Sequence, residues 1–290
     1  MNIAIHGKSF STHAIPKINA AFKKISDSGC AIFISDPFRK ILQDCEICPS
    51  DFGLIDTETI KKCNIFMSFG GDGTLLESVC YVGSAEVPIL GVNTGRLGFL
   101  ANTGVEDLDS VLDKVLNNSF EVESRMLIRA RSDGDIFNDT NFGLNEVAIL
   151  KQDTSSMITV HTYLDDEYLN SYWADGLIIS TPTGSTGYSL SCGGPIVNPH
   201  SNSFILTPVS PHNLNVRPII VSDKSVIRLE VESRSDSYLV SLDSRSKSVS
   251  TDKVLTVCKE NFDAKLVVTE THSFLNTLRK KLNWGFDIRN

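Results

Sequence analysis

"NIFMSFGGDGTLLESVCYVG", residues 64–83, decides the fold. It opens with an apolar strand-like run, passes through three glycines around one aspartate, and continues with Leu75, Leu76, Val79 and Cys80 at helical spacing before Gly83 stops it. A strand that turns directly into a helix through glycines belongs to a parallel sheet with helices on its faces. The flanks agree. "NIAIH", "AIFIS" and "VPILGVN" read as further strands. "IPKINAAFKKI" puts Ile15, Ile18, Ala21, Phe22 and Ile25 on one helical face, and "RKILQDC" is a short helix. Past Ala101, "VEDLDSVLDKVL" is a helix with Leu108, Val111, Leu112, Val115 and Leu116 at spacings of three and four.

The pattern then changes. "RMLIRARSDGDIF" places Asp133-Gly134 between two extended runs, a hairpin signal, and "MITVHTYLDDEYLNSYW" turns near Asp165 and Asp166. "VIRLEVES" alternates with Ile227, Leu229 and Val231 on one face, and "YLVSLDS", "VLTVCK" and "KLVVTE" read as strands. "SFLNTLRKKLNW" is helical again, with Phe274, Leu275, Leu278 and Leu282 on one side. The reading is an α/β domain with a parallel sheet over residues 1–102, a β-rich domain over 103–267, and a C-terminal helix within 268–290 returning to the first.

Composition bounds the function. With 290 residues, 41% hydrophobic and 21% charged, the chain is globular. A net charge of -8 argues against broad nucleic-acid binding and against docking on an anionic membrane. No stretch reaches the length of a membrane span, and no signal peptide is expected at Met1–Gly7. Seven scattered cysteines suit reduced thiols in a cytoplasm. Cys45 and Cys48 form a lone C-x-x-C without the second pair that zinc requires, so packing and turn chemistry explain them. "HGKSF" resembles the end of a P-loop, but the glycine needed five residues earlier is Asn2, which leaves a strand-to-helix turn.

Three constellations carry chemistry. Gly70, Gly71, Gly73 and Thr74 free the backbone at a helix start to present N–H groups to phosphate. Asp72 would repel that guest unless it holds a divalent cation or takes a proton from a hydroxyl attacking phosphorus; a helix cap is the plain alternative. In "GLNEVAI", Asn145 and Glu146 can fork onto two ribose hydroxyls or an adenine edge. "ADGLIISTPTGSTGYSLSCGGP", residues 174–195, supplies hydroxyls without bulk from Thr183, Thr186 and Ser189, a flat ring from Tyr188, and Asp175 at a strand start. A serine-hydrolase elbow is absent, because the glycine required two before Ser185 is Thr183. The three read together as a nucleotide site formed by both halves.

At these residues the chain resembles the NAD kinases. "GGDGTLL", "NTGRLGFLAN", "LNEVAI" and the 174–195 segment follow the order and spacing of that family's signatures over about residues 60–290. The resemblance implies transfer of the terminal phosphate of ATP, or of polyphosphate in some members, to the adenosine 2'-hydroxyl of NAD. It implies a divalent cation, usually Mg2+, with no residue assigned as its ligand, and a homodimer or homotetramer. It matches Asp72 to the general base, Gly73 to a position beside NAD, and Asn145 and Glu146 to the ribose pair. It matches Asp175 to an NAD contact near the nicotinamide, and Thr186, Gly187, Tyr188, Ser189, Leu190 and Ser191 to the segment closing over the dinucleotide. Thr183 is taken with this set. Trp173 stands where a basic residue is frequent, Gly187 where alanine is common, and Arg245 where glutamine is common, the last expected to alter donor or NAD affinity through its charge. A lipid kinase sharing the glycine loop and a non-catalytic NAD(P) sensor are the alternatives; the "LNEVAI" segment and the intact Asp72 speak against them.

Overall fold

A computed structural model describes residues 1–47, 51–95, 98–134, 136–153, 156–268 and 273–283. Cys48, Arg96 and Leu97 lie outside the described residues. The chain packs as two units, residues 1–124 with 264–290, and residues 125–263.

In the first unit the alternation read from the sequence is realised as β1 (Asn2–Gly7), α1 (Ile15–Asp27), β2 (Ala31–Ile34), α2 (Asp36–Asp44), β3 (Gly53–Leu54), α3 (Thr57–Ile60), β4 (Ile65–Gly70), α4 (Asp72–Val82), β5 (Ile89–Asn93), β6 (Thr103–Gly104) and α5 (Leu108–Leu116). The strands run parallel in the order β3-β2-β1-β4-β5. β1 and β4 are buried along almost their whole length, because helices cover the sheet. The order reverses between β1 and β4. The loops leaving their carboxyl ends therefore diverge and open a crevice there.

The core gathers Ile18, Phe22 and Ile25 of α1, Ile3 and Ile5 of β1, and Leu108, Leu112 and Val115 of α5. α5 thus belongs with the first unit. That is why the unit runs to Ser124 and not to the expected residue 102.

The second unit is built from β7 (Glu121–Ser132), which leads into it, β8 (Phe142–Gly143), β9 (Glu146–Lys151), β10 (Ile158–Leu164), β11 (Glu167–Ala174), β12 (Gly176–Ser180), α6 (Tyr188–Ser191), β13 (Ser203–Val209), β14 (Ile219–Ser222), β15 (Ile227–Glu232), β16 (Ser237–Leu242), β17 (Arg245–Ser250) and most of β18 (Leu255–Val268). One antiparallel sheet has the order β14-β13-β12-β9-β16-β17. Antiparallel strands β11, β10, β15 and β18 form a second layer. Alternate residues of both layers, among them Val147, Ile149, Val160, Leu177, Ile179, Leu229, Tyr238 and Val240, interlock in one apolar core.

Three details differ from the sequence reading. The strand that returns on β7 is Phe142–Gly143, with Ile128 opposite Gly143, and not the segment after Gly134. Gly134 closes only a tight bridge back to Ser132, at φ +101. The two runs expected near residues 254–259 and 265–270 meet in one fourteen-residue strand, β18 (Leu255–Val268), since no glycine or proline interrupts it. The last helix, α7 (Phe274–Leu282), belongs to the first unit and buries Leu278, but Leu275 points to solvent. Its apolar face is the narrower stripe of Phe274, Leu278 and Leu282, four residues apart.

Candidate functional site

In the first unit a groove of about 400 Å³ lies at the switch point, lined by Lys8–Ser11 after β1, by Gly70, Gly71 and Thr74, and by Thr94 and Gly95 after β5. The three glycines of the motif have different causes. A Cβ on Gly70 would lie 2.1 Å from Thr74 Oγ1, so packing alone demands glycine there. Gly71 and Gly73 are exposed, have no positive φ, and a Cβ on either would meet nothing within 4 Å. Neither fold nor backbone strain asks for glycine at those two positions. A backbone left bare in this way is free to approach a guest closely.

Asp72 begins α4, yet its side chain makes no helix cap. Its carboxylate instead binds a second loop. Oδ2 accepts the Phe99 N–H at 2.8 Å, and Oδ1 accepts the Leu100 and Ala101 N–H groups at 3.0 Å each. The cap expected as the plain alternative is thus replaced by a clamp on the "GFLA" segment. From the described residues Oδ2 receives a single donor, which leaves it room to accept another.

The turn after β1 also enters the site, against the expectation of a mere connection. Lys8 faces the groove and pairs with Glu77 of α4 at 2.5 Å. Glu77 is backed by buried His6, whose Nε2 lies 3.3 Å from Oε2 and whose Nδ1 lies 2.7 Å from Ser35 Oγ. Burial pushes the His6 imidazole below its usual range, against the pull of Glu77.

In the second unit Asn145 and Glu146 stand where β8 passes into β9, and the 183–191 segment packs over them. A Cβ at Gly184 would fall 2.1 Å from the Asn145 carbonyl oxygen, and one at Gly187 would fall 3.3 Å from Glu146 Oε2 and 3.7 Å from Asn145 Nδ2. The common alanine at position 187 would therefore crowd the Glu146 carboxylate. Glu146 is 8% exposed, and its Oε2 takes no hydrogen bond from any described residue. Burial, then the charge of Asp243, pushes its carboxyl up to about 8, opposed by the Tyr188 N–H. A buried acceptor without a donor is costly and signals a missing partner.

The other expected residues divide into two groups. Tyr188 exposes its ring; burial and the neighbouring Cys192, Asp175 and Glu146 groups push its phenol up, which places both acids near it. Asp175 sits between β11 and β12 and pairs with Lys151 at 2.6 Å. Thr186 and Leu190 are half-buried and Ser191 is exposed. Thr183 is buried, its hydroxyl taking an Arg125 N–H at 3.3 Å. Ser189 is fully buried and its hydroxyl is engaged by Thr207 Oγ1 at 2.8 Å. Lys8, Glu77, Lys151 and Arg125 were not singled out by the sequence. Of these only Lys8, in a Gly-Lys-Ser turn after a strand, carried a local signal.

Arg245 turns its guanidinium toward the loop that leads into β9. Its guanidinium donates to the carbonyl oxygens of Thr140, at 2.6 Å, and Phe142.

Among the described residues no group of three or more His, Cys, Asp or Glu side chains could hold a metal ion, and no helix is long and apolar enough to cross a membrane.

The ATP-NAD kinase N-terminal domain family matches residues 11–120, and the ATP-NAD kinase C-terminal domain family matches residues 144–269. The chain is 49% identical to the NAD kinase of Cytophaga hutchinsonii over 292 residues, and 44% identical to that of Flavobacterium johnsoniae over 294 residues, with all of both chains covered in each case. Among solved structures, an NAD kinase from Archaeoglobus fulgidus in complex with ATP superposes with a TM-score of 0.74 at 27% identity, covering 98% of this chain and 99% of that one. The yeast NADH kinase complexed with NADH gives 0.84 at 23% identity, over 100% of this chain and 89% of that one, a likeness of fold. Full-length similarity and both matched domains converge on one conclusion: the chain belongs to the NAD kinase family.

Proposed function

We propose that the chain phosphorylates NAD at the adenosine 2'-hydroxyl, with Asp72 as the group that takes the proton. The hydroxyl oxygen forms a bond to the terminal phosphorus of ATP, the bond from that phosphorus to the bridging oxygen breaks, and ADP leaves. The hydroxyl proton passes to Asp72 Oδ2, the oxygen with the lighter hydrogen-bond load. The groove beside Gly71 and Lys8 takes the triphosphate, whose charge is met by loop N–H groups, the start of α4 and the lysine.

Asn145 and Glu146 take the adenosine ribose, and Asp175, Gly187 and Tyr188 border the dinucleotide. The observation that carries this reading is the buried, unpartnered Oε2 of Glu146. A ribose hydroxyl supplies the donor it lacks. Thr183 and Ser189 shape the segment from within, since their hydroxyls are already engaged by protein.

No group of three or more His, Cys, Asp or Glu among the described residues offers a ready metal cage, and no step is routed through a resident ion. Mg2+ enters as part of the substrate, chelated by the donor phosphates and water, as is usual for this ion with nucleotides. A cytoplasmic homo-oligomer completes the proposal; light scattering of the purified protein checks its assembly.

The decisive experiment follows NADP formation with NAD and a panel of donors, ATP and polyphosphate, in the wild type and in Glu146→Ala. Loss of NAD affinity in the variant, with ATP binding intact, supports the ribose assignment. Unchanged NAD affinity removes Glu146 from the site.

A further inference from the structure

Beyond its buried Phe142 and Leu144, the Asn145–Glu146 loop has its backbone fixed from two sides by one hairpin. The hairpin joins β16 to β17, with Asp243 in its turn and Arg245 at the start of β17. Asp243 is half-buried, with its carboxylate turned onto the loop. Its Oδ2 accepts the Leu144 N–H at 2.9 Å, and its Oδ1 accepts the N–H groups of Asn145 and Glu146 at 2.8 and 3.1 Å. Arg245, two residues on, holds the carbonyl side of the same loop at Thr140 and Phe142. Gly143 leaves the room this needs, for a Cβ there would lie 3.0 Å from both carboxylate oxygens of Asp243. Acid on the donor side and base on the acceptor side satisfy five backbone groups of a seven-residue stretch. Charge-assisted bonds of this kind are about twice as strong as neutral ones.

We propose that Asp243 is a positioning residue for NAD: it sets the Asn145–Glu146 pair to receive the ribose, and Arg245 braces the loop from the opposite side. This rests on the reading of that pair as the ribose site. Asp243 touches no substrate itself. It fixes the direction in which the Glu146 carboxylate enters its pocket, because three consecutive N–H groups aimed at one acid leave the backbone between them no freedom to rotate. Arg245 in place of the common glutamine then brings more donors to the two carbonyls, and its charge is used on the loop.

The test is steady-state kinetics with NAD and ATP varied separately, in Asp243→Ala, Asp243→Asn, Gly143→Ala and Glu146→Ala. Asp243→Ala is expected to raise KM for NAD by roughly tenfold or more, the scale of buried donors left unpaired, while KM for ATP stays within about twofold. Asp243→Asn should fall between it and the wild type, since one amide oxygen keeps two of the three N–H groups. Gly143→Ala leaves the acid in place but presses on it, so a rise in KM for NAD there supports the proposal even where Asp243→Ala fails to fold. A purely structural role would lower melting temperature and active fraction and leave KM for NAD unchanged; that result overturns the proposal. An unchanged KM in Glu146→Ala takes down the ribose reading and this proposal with it. A raised KM in Glu146→Ala beside an unchanged one in both Asp243 variants and in Gly143→Ala overturns this proposal alone.

Discussion

Asp72 occupies the space that a side chain at Gly98 would need: a Cβ on Gly98 would fall 1.8 Å from Oδ1 of the aspartate. The glycine is followed by the three residues whose N–H groups the carboxylate receives. Gly143 and Asp243 repeat this arrangement in the second unit, with a glycine immediately before the three N–H donors.

Gly98→Ala should therefore act on Asp72 and not on the core. The carboxylate has to swing away, and its three hydrogen bonds go with it. NADP formation is expected to fall by about a hundredfold or more, the range seen when a positioned catalytic group is lost. Circular dichroism should still report a folded protein. Turnover close to wild type would show that Asp72 tolerates a second position.

Asp72→Asn is not a simple test of proton transfer. An amide offers one oxygen to three N–H groups and turns its own NH2 toward the rest. We expect turnover to collapse and the loop after Gly98 to loosen as well. Amide hydrogen exchange at Phe99, Leu100 and Ala101 separates the two effects. Unchanged protection there, with lost turnover, assigns the whole loss to the missing base.

Glu146 predicts a pH dependence with a definite sign. Its carboxyl is pushed from 4.5 up to about 8 in the folded protein, by burial first and by Asp243 second. The folded state then binds more protons than the unfolded one across that window, so its stability falls as pH rises from about 4.5 toward 8 and levels off above. A hydroxyl donor favours the ionised form, so NAD affinity should rise over the upper part of the same window, with a proton released on binding. Calorimetry in buffers of different ionisation enthalpy reads that proton directly. Glu146→Gln should abolish both trends, and persistence of either would assign it to another group.

Lys8→Met should raise KM for ATP several-fold and leave KM for NAD unchanged, because the cation borders the groove beside Gly71. The lost ion pair with Glu77 should cost little stability, since Lys8 is more than half exposed. An equal change in both Michaelis constants would mean that the lysine acts through general loop order.

The strand, glycine turn and helix of residues 64–83 were legible because each element carries its own local pattern. So were the apolar faces of α1, α5 and β15. What escaped is non-local. Asp72 meets donors 27 to 29 residues away, and Asp243 meets donors 97 to 99 residues away. The partners are backbone N–H groups, which every residue but proline possesses, so nothing in the sequence marks them. Lys8 was set aside on P-loop spacing, a rule about one continuous loop. Strand order places it beside Gly71, since β1 and β4 are neighbours in the sheet. Leu275 misled because four leucine-like positions fit a helical stripe equally well, and only packing decides which one faces water.

Gly71 and Gly73 have unfilled room around them and ordinary dihedral angles. A methyl group at Gly71, which lines the groove, would be invisible to the melting curve yet obstruct a triphosphate seated there. Such an alanine variant would be a well-formed protein that can no longer accept its donor, so assembly and catalysis could be studied apart. A lowered melting temperature would instead reveal that Gly71 serves the scaffold.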